Sequence, residues 1–226
     1  MIVHHFTTPI TTPFARKSTQ IYGDLCRLWE KAKIKESAKK PEITGLCRLI
    51  KGYKIMIKVL FVCHGNICRS PMSEFILKDM VEKRGIQDQF EIASAATSTE
   101  EIWNGRGNPI YPPAQAELRK HKIGNTAYTN FSGKRARQVT REDYGYYDYI
   151  LCAETTNIRN TVRITGEDTE HKIKRLLDYS KDPRNIADPW YTGDFGVTYT
   201  DICEGCESFL SWLEQEGYIS ITNKIK

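Results

Sequence analysis

The sequence contains no long apolar run. No window approaches the ~18 consecutive apolar residues that a membrane-spanning helix requires. The composition, 40% hydrophobic and 27% charged, is typical of a globular protein. The first nine residues have no basic region followed by an apolar core, so no secretory leader is predicted. These absences predict a cytoplasmic chain without a membrane span.

Cysteines are few and irregularly spaced, which argues against a disulfide framework. The odd set of seven, at positions 26, 47, 63, 68, 152, 203 and 206, favours reduced thiols. Cys203 and Cys206 form a C-x-x-C pattern, but no second ligand pair accompanies it. We interpret this pair as core packing in the last predicted helix. No metal and no cofactor are therefore expected.

Acidic residues are scarce only in the first quarter of the chain. Residues 1–55 contain 11 Lys and Arg against 4 Asp and Glu, whereas residues 56–226 contain 33 − 11 = 22 against 28 − 4 = 24. The net charge of +5 thus belongs to the leading segment, and no nucleic-acid partner is expected for the remainder. We predict a basic extension over 1–55 and one domain over 56–226.

The role of the extension has several interpretations. It could be a partly helical or disordered appendage, or an electrostatic tether to an anionic partner. It could also lie outside the natural product, because Met56 directly precedes a predicted strand and could serve as an initiator. Detection of intact residues 1–55 by N-terminal mass spectrometry would exclude this last interpretation.

Strands and helices alternate regularly from Val59 onward, without an internal repeat. Apolar runs predict strands over 59–62, 90–95, 149–153 and 175–177. Helices are predicted from Ser70 as N-cap to Gly85, over 113–119, and from Ile202 to Leu213. This alternation predicts an α/β fold: a single domain with a central parallel sheet of about four strands flanked by helices.

The loop between the first strand and its helix carries the chemistry. Cys63 and Arg69 are separated by five residues at the carboxyl end of a parallel strand, where anions bind to helix N-termini. Gly65 and Asn66 tolerate the left-handed conformations of a tight anion-binding loop. The loop amides favour the thiolate of Cys63, and the Ser70 hydroxyl could donate to it. The predicted phosphate-binding residues are His64, Gly65, Asn66, Ile67, Cys68, Arg69 and Ser70.

Residues 62–71, Val-Cys-His-Gly-Asn-Ile-Cys-Arg-Ser-Pro, resemble the signature of the low-molecular-weight protein tyrosine phosphatases. The likeness extends from about Ile57 to Leu213 and includes residues 94–97, 103–105, 135–140, 148–152 and 187–191. It implies hydrolysis of phosphotyrosine and small aryl phosphates through a cysteinyl-phosphate, with Cys63 as nucleophile and Arg69 as phosphate clamp. The implied partner is a phosphotyrosine protein, which could be a tyrosine kinase.

A proton donor and a cleft follow from the same resemblance. The departing phenolate has a conjugate acid with pKa ~10, so a donor should accelerate its release by ~10²–10⁴-fold. Asp188 matches the residue that the family uses first as general acid and then as base. Trp103, Trp190 and Tyr191 resemble the aromatic walls of the family's substrate cleft.

Three positions are expected to tune the site. Cys68 could form a protective disulfide with Cys63 under oxidation, which is its predicted redox role. Lys134 stands where many relatives have a His that braces the loop Asn, and Glu154 stands where many have Asp. We expect these two departures to alter loop rigidity and tuning rather than the activity.

Three alternatives remain open. An arsenate reductase on this scaffold needs two further cysteines near the third strand, and the chain offers only Cys152 there. Protein arginine phosphatases carry Thr before the second loop cysteine, where this chain has Ile67, which could pack against a tyrosine ring. A non-catalytic phosphate-binding protein would need neither the Cys63 thiolate nor the Asp188 acid. The sequence therefore favours an enzyme, a protein tyrosine phosphatase.

Overall fold

The computed structural model describes residues 56–219, and the predictions made for residues 1–55 lie outside this range. Its centre is a four-stranded, fully parallel sheet formed by β1 (Ile57–Cys63), β2 (Phe90–Ala96), β5 (Tyr149–Cys152) and β6 (Ile173–Arg175). The order of the strands in the sheet is β2-β1-β5-β6. A separate two-stranded hairpin joins β3 (Ile102–Trp103) and β4 (Arg106–Gly107). The predicted parallel sheet of about four strands is confirmed.

The helices lie on both faces of this sheet. They are α1 (Arg69–Lys83), α2 (Pro112–Lys120), α3 (Arg141–Tyr146), α4 (Thr155–Thr165), α5 (Pro189–Thr192) and α6 (Phe195–Gln215). Two short 3₁₀ turns cover Gln87–Gln89 and Leu176–Tyr179. Among the helices of residues 56–219, none is both long enough and apolar enough to cross a membrane.

Strand β1 lies between β2 and β5, and every one of its seven residues is buried. Alternate side chains of a strand point to opposite faces, so its continuous apolar run fills two cores. Val59 and Phe61 pack into the core beneath α1 and α6, whereas Leu60 and Val62 pack into a smaller core with Val139 and its neighbours. The carboxyl end of β1 therefore lies between its two neighbouring strands, β2 and β5.

Helix α1 begins two residues earlier than predicted. Its N-cap is Cys68, which makes no side-chain capping bond, and Ser70 lies inside the first turn. The prediction of Ser70 as N-cap is therefore wrong, because its hydroxyl faces Cys63 instead of the helix amides. Gly85 follows the end of the helix with a φ of +67°, as a C-terminal glycine should.

The predicted fourth strand over 175–177 is displaced. The strand ends at Arg175, and Leu176 and Leu177 form a buried 3₁₀ turn under α6. A short apolar run fits a buried turn as well as a buried strand, which explains the error. Gly205 of α6 permits this approach, since a Cβ there would lie 2.5 Å from Leu176 Cγ. Cys206 is fully buried in the same core.

Candidate active site

The loop after β1 wraps around the sulfur of Cys63. The thiol is buried, and it lies 3.0 Å from Ser70 Oγ and 3.3 Å from the Asn66 backbone nitrogen, which donates to it. Asn66 adopts the predicted left-handed conformation, with φ +58°. Gly65 does not have a positive φ, so that part of the prediction is wrong. The absence of a Cβ at Gly65 instead leaves room for the Glu101 side chain, because a Cβ there would lie 3.0 Å from Glu101 Cγ.

The Asn66 side chain is the brace of this loop. Its amide nitrogen donates to Ser70 Oγ and to Ser94 Oγ, both at 2.8 Å. Its oxygen accepts from the Arg137 backbone nitrogen at 3.2 Å. A left-handed Asn is uncommon, and these three bonds from separate segments hold it in place.

A buried ion cluster lies behind the brace. Glu74 accepts a hydrogen bond from Ser94 Oγ at 2.6 Å and pairs with Lys134 and Lys78, each at 2.7 Å. Burial alone would raise the pKa of Glu74, but the two lysine charges outweigh it and hold the pKa below 4.5. Burial lowers the pKa of Lys134, which the Glu74 charge partly offsets. Lys134, which the sequence identified as a departure from the family pattern, is therefore a cation paired with Glu74.

The ionised Glu74 sets the direction of the hydrogen bonds. Because the carboxylate only accepts, Ser94 must donate to it, and Ser94 Oγ then accepts from Asn66. Asn66 also donates to Ser70, whose hydroxyl hydrogen is left to point at the Cys63 sulfur or at the Ala95 carbonyl 3.3 Å away. Asn66 therefore donates to both serines, and the Ser70 hydroxyl can donate to the Cys63 sulfur 3.0 Å away.

The Arg69 guanidinium is almost fully buried beside two carboxylates. Its Nη2 atom donates to Asp188 Oδ2 at 2.5 Å and lies 3.5 Å from Glu154 Oε1. Its Nη1 atom is 3.4 Å from Glu154 Oε2 but makes no hydrogen bond of good geometry with any described residue. A buried guanidinium N–H without a partner is what a phosphate oxygen would satisfy.

Asp188 lies directly before helix α5. One carboxylate oxygen accepts from the Trp190 backbone nitrogen at 3.0 Å, and the other pairs with Arg69. The side chain remains partly exposed, so a substrate can reach it. The structure therefore places Asp188 against Arg69, which lies in the same loop as Cys63.

The predicted cleft aromatics are all exposed. Trp103, Trp190 and Tyr191 expose 68%, 58% and 86% of their surface, which excludes a core role. Sequence reasoning missed Tyr111, whose ring lies 5.4 Å from that of Trp190 and whose backbone nitrogen donates to Ile67. It also missed the hairpin that carries Trp103. The Asn-Gly pair at 104–105, with φ of +49° and +76°, was the available signal.

The remaining loop residues surround this centre. Cys68 is buried, and burial, followed by the charges of Cys63 and Asp188, raises the pKa of its thiol to about 12. It is therefore a neutral thiol next to the site. His64 is exposed and lies 2.8 Å from Glu100. No group of three metal-ligating side chains occurs within residues 56–219.

Comparison with known proteins agrees with this geometry. Residues 58–218 match the family model of the low molecular weight phosphotyrosine protein phosphatases. The chain is 39% identical over 163 residues to the low molecular weight protein-tyrosine-phosphatase YfkJ of Bacillus subtilis, covering 71% of this chain and 98% of that protein. It is 40% identical over 157 residues to the rat low molecular weight phosphotyrosine protein phosphatase, covering 67% and 92%.

Solved structures show the same similarity. The crystal structure of YfkJ matches with a TM-score of 0.64 at 37% identity, covering 71% of this chain and 96% of that one. A structure described as DARP, drosophila arginine phosphatase, matches with a TM-score of 0.59 at 31% identity, covering 70% and 98%.

A thiol at the end of a parallel strand, a following arginine and a facing carboxylate define a cysteine-dependent phosphatase. The match over residues 58–218 and the extent of identity assign the family within that class. The chain belongs to the low molecular weight phosphotyrosine protein phosphatase family. It is accordingly a cysteine-dependent phosphatase that hydrolyses phosphotyrosine.

Proposed function

We propose that Cys63 is the nucleophile, Arg69 the phosphate clamp and Asp188 the general acid and base of this phosphatase. The observation that carries the proposal is the contact between Arg69, in the loop that begins at Cys63, and Asp188, which lies 119 residues further along the chain. Cys63 Sγ accepts from the Asn66 backbone N–H and lies 3.0 Å from Ser70 Oγ, and Arg69 is held 2.5 Å from Asp188 while its buried Nη1 atom makes no hydrogen bond to a described residue.

The first half of the reaction transfers the phosphoryl group to sulfur. The Cys63 thiolate attacks phosphorus, the bond from phosphorus to the aryl oxygen breaks, and Asp188 gives its proton to that oxygen. Arg69 and the backbone N–H groups of residues 64–69 bind the equatorial oxygens of the transferring group. The products of this step are a cysteinyl-phosphate and a neutral phenol.

The second half returns the enzyme to its starting form. Asp188, now a carboxylate, takes a proton from a water molecule while the water oxygen attacks phosphorus. The sulfur–phosphorus bond breaks and inorganic phosphate leaves. Cys63 departs as a thiolate, and the Ser70 hydroxyl 3.0 Å away stabilises this leaving group.

Cys63→Ser tests the nucleophile directly. We expect this variant to lose turnover of p-nitrophenyl phosphate but to bind inorganic phosphate in calorimetry, because Arg69 and the loop amides remain. Cys203→Ser is a suitable control, since Cys203 lies on α6 and is only partly buried. Turnover by Cys63→Ser at the level of this control would contradict the mechanism.

Substrate choice is assigned to the cleft. The exposed rings of Trp103, Trp190 and Tyr191 offer flat apolar surfaces to a phenyl ring, and Ile67 adds an aliphatic contact from the loop. The similarity to a protein described as an arginine phosphatase makes phosphoarginine the second candidate substrate. Phosphotyrosine and phosphoarginine peptides of one sequence should be assayed side by side. A higher kcat/KM for phosphoarginine would overturn the tyrosine assignment.

Arsenate reduction is disfavoured by Cys152. This thiol is fully buried, and burial raises its pKa to about 12, so it is poorly suited to shuttle a disulfide. Arsenate turnover with thioredoxin by the wild-type chain would contradict this reasoning.

We further propose that residues 56–226 form the catalytic domain and that residues 1–55 are an extension outside it. The family match over residues 58–218 supports this division. The reactive thiol suits a reducing, cytoplasmic compartment. Substrate trapping with Asp188→Ala in the cell of origin would identify the phosphotyrosine partner, and recovery of a tyrosine kinase would support the proposed partner.

A further inference from the structure

Asp188 ends a segment, residues 180–188, that has no regular secondary structure. The Asp188 carboxylate contacts Arg69 and the Trp190 backbone nitrogen, and the backbone that leads to it is held by other elements of the fold. The Ile186 backbone nitrogen donates to the Ala153 carbonyl at 2.9 Å, which ties the segment to the end of β5. The next residue, Ala187, is tied to a different element, helix α6.

Both backbone groups of Ala187 are bound by side chains of α6. Its N–H donates to Asp201 Oδ2 at 3.3 Å, and its carbonyl accepts from Thr198 Oγ1 at 3.0 Å. Thr198 and Asp201 are both buried, and they lie three residues apart on one face of the helix. The residue that precedes Asp188 is thus clamped from both sides.

Asp201 also holds a second point of the segment. Its other oxygen, Oδ1, accepts from Arg184 Nη2 at 2.6 Å, and the same guanidinium pairs with Glu204 at 2.7 Å. Glu204 contacts Arg184 but makes no bond to Ala187 among the hydrogen bonds of residues 56–219. Asp201 alone of these two carboxylates joins Arg184 to the residue before Asp188.

We propose that Asp201 is a positioning residue that sets the location of the Asp188 carboxylate, an inference that rests on the proposed acid role of Asp188. One carboxylate oxygen of Asp201 accepts from the Ala187 N–H, and the other accepts from Arg184. Asn has a single acceptor oxygen and cannot satisfy both donors. Because Asp188 is bonded directly to Ala187, loss of the clamp moves the proton donor relative to the leaving oxygen, and ~1 Å of displacement can cost ~10²-fold in rate.

The test compares Asp201→Asn with Glu204→Gln. Each replaces one carboxylate partner of Arg184 by an amide, but only the first disturbs Ala187. The readout is kcat/KM for phenyl phosphate, whose leaving group needs protonation, against p-nitrophenyl phosphate, whose leaving group needs it less. We expect Asp201→Asn to lose about 10- to 100-fold on phenyl phosphate and under about threefold on p-nitrophenyl phosphate. Glu204→Gln should stay within about twofold of wild type on both.

Two results would overturn the proposal: equal losses on both substrates by Asp201→Asn, or the same pattern in Glu204→Gln. Thr198→Val removes the other half of the clamp at nearly constant volume and serves if Asp201→Asn does not fold. It should show the same selective loss, and an unselective loss counts against the proposal. Asp188→Asn separates the two ideas, because an absence of leaving-group selectivity in that variant would refute the acid role itself.

Discussion

Replacing Lys134 by Met removes one cation from the buried cluster behind the phosphate-binding loop. Lys134 lies 2.7 Å from Glu74, and both side chains are largely buried, at 14% and 5% exposure. Its ammonium also donates to the Ser94 carbonyl at 3.1 Å. The variant therefore leaves the buried Glu74 carboxylate with Lys78 as its one remaining cation among the described residues, and it removes a support of the segment that contacts Asn66.

The expected loss of stability is about 3 kcal/mol. Removing one partner of a buried ion pair costs about 3–5 kcal/mol, and the remaining Lys78 places the loss at the lower end. For a domain of this size the same loss lowers the melting temperature by about 6–12 °C. We also expect kcat/KM for p-nitrophenyl phosphate to fall about tenfold, the equivalent of ~1.4 kcal/mol for one hydrogen bond supporting Ser94.

Urea unfolding of the full chain measures this loss. Lys78→Met is the matched control, because Lys78 pairs with Glu74 but makes no hydrogen bond to Ser94 among those of residues 56–219. It should lower stability while leaving kcat/KM within about threefold of wild type. A double-mutant cycle with Glu74→Gln should give a coupling of about 1–3 kcal/mol between Lys134 and Glu74.

The pH dependence has a definite sign. The folded-state pKa of Glu74 lies below its ordinary value of 4.5, so its contribution is present above pH 4.5 and is lost as pH falls through the lowered pKa. The stability difference between wild type and Glu74→Gln should be full at pH 7 and shrink below pH 4.5. A loss under 0.5 kcal/mol in Lys134→Met, or a coupling near zero, would refute the buried-pair reasoning.

Three further predictions concern the loop and the cleft. A Cβ at Gly107 would lie 1.8 Å from a backbone carbonyl oxygen, so Gly107→Ala should cost at least about 1–3 kcal/mol in urea unfolding, whereas Gly145→Ala, with nothing within 4 Å, should not. Equal stability of the two variants would contradict the close approach. Tyr111→Leu should raise KM for phenyl phosphate about 3- to 10-fold at nearly constant kcat, because its ring pairs with Trp190; a change in kcat alone would count against a binding role. Cys68→Ser should recover less activity than wild type when peroxide-treated enzyme is reduced, and equal recovery would argue against the redox role.

Local sequence signals determined the class of fold and the centre of the site. The apolar run of β1, the residues of the following loop and the start of α1 are contiguous, so a strand, an anion-binding loop and a helix could be predicted together. Asp188 was predicted because it resembles a family motif, not because of any local pattern. Helix and strand limits were less accurate, as the displaced β6 illustrates, since short apolar runs fit several buried conformations.

Tertiary structure decided which side chains support the loop and the acid. Ser70 faces the thiol of Cys63 instead of capping its helix, and the Asn66 amide reaches the Glu74 and Lys134 pair through Ser94. These contacts join residues up to 60 positions apart, and no periodicity or spacing encodes such pairings. The Cys63 loop could be recognised from sequence because its chemistry is local, whereas its bracing depends on long-range packing that only the folded chain creates.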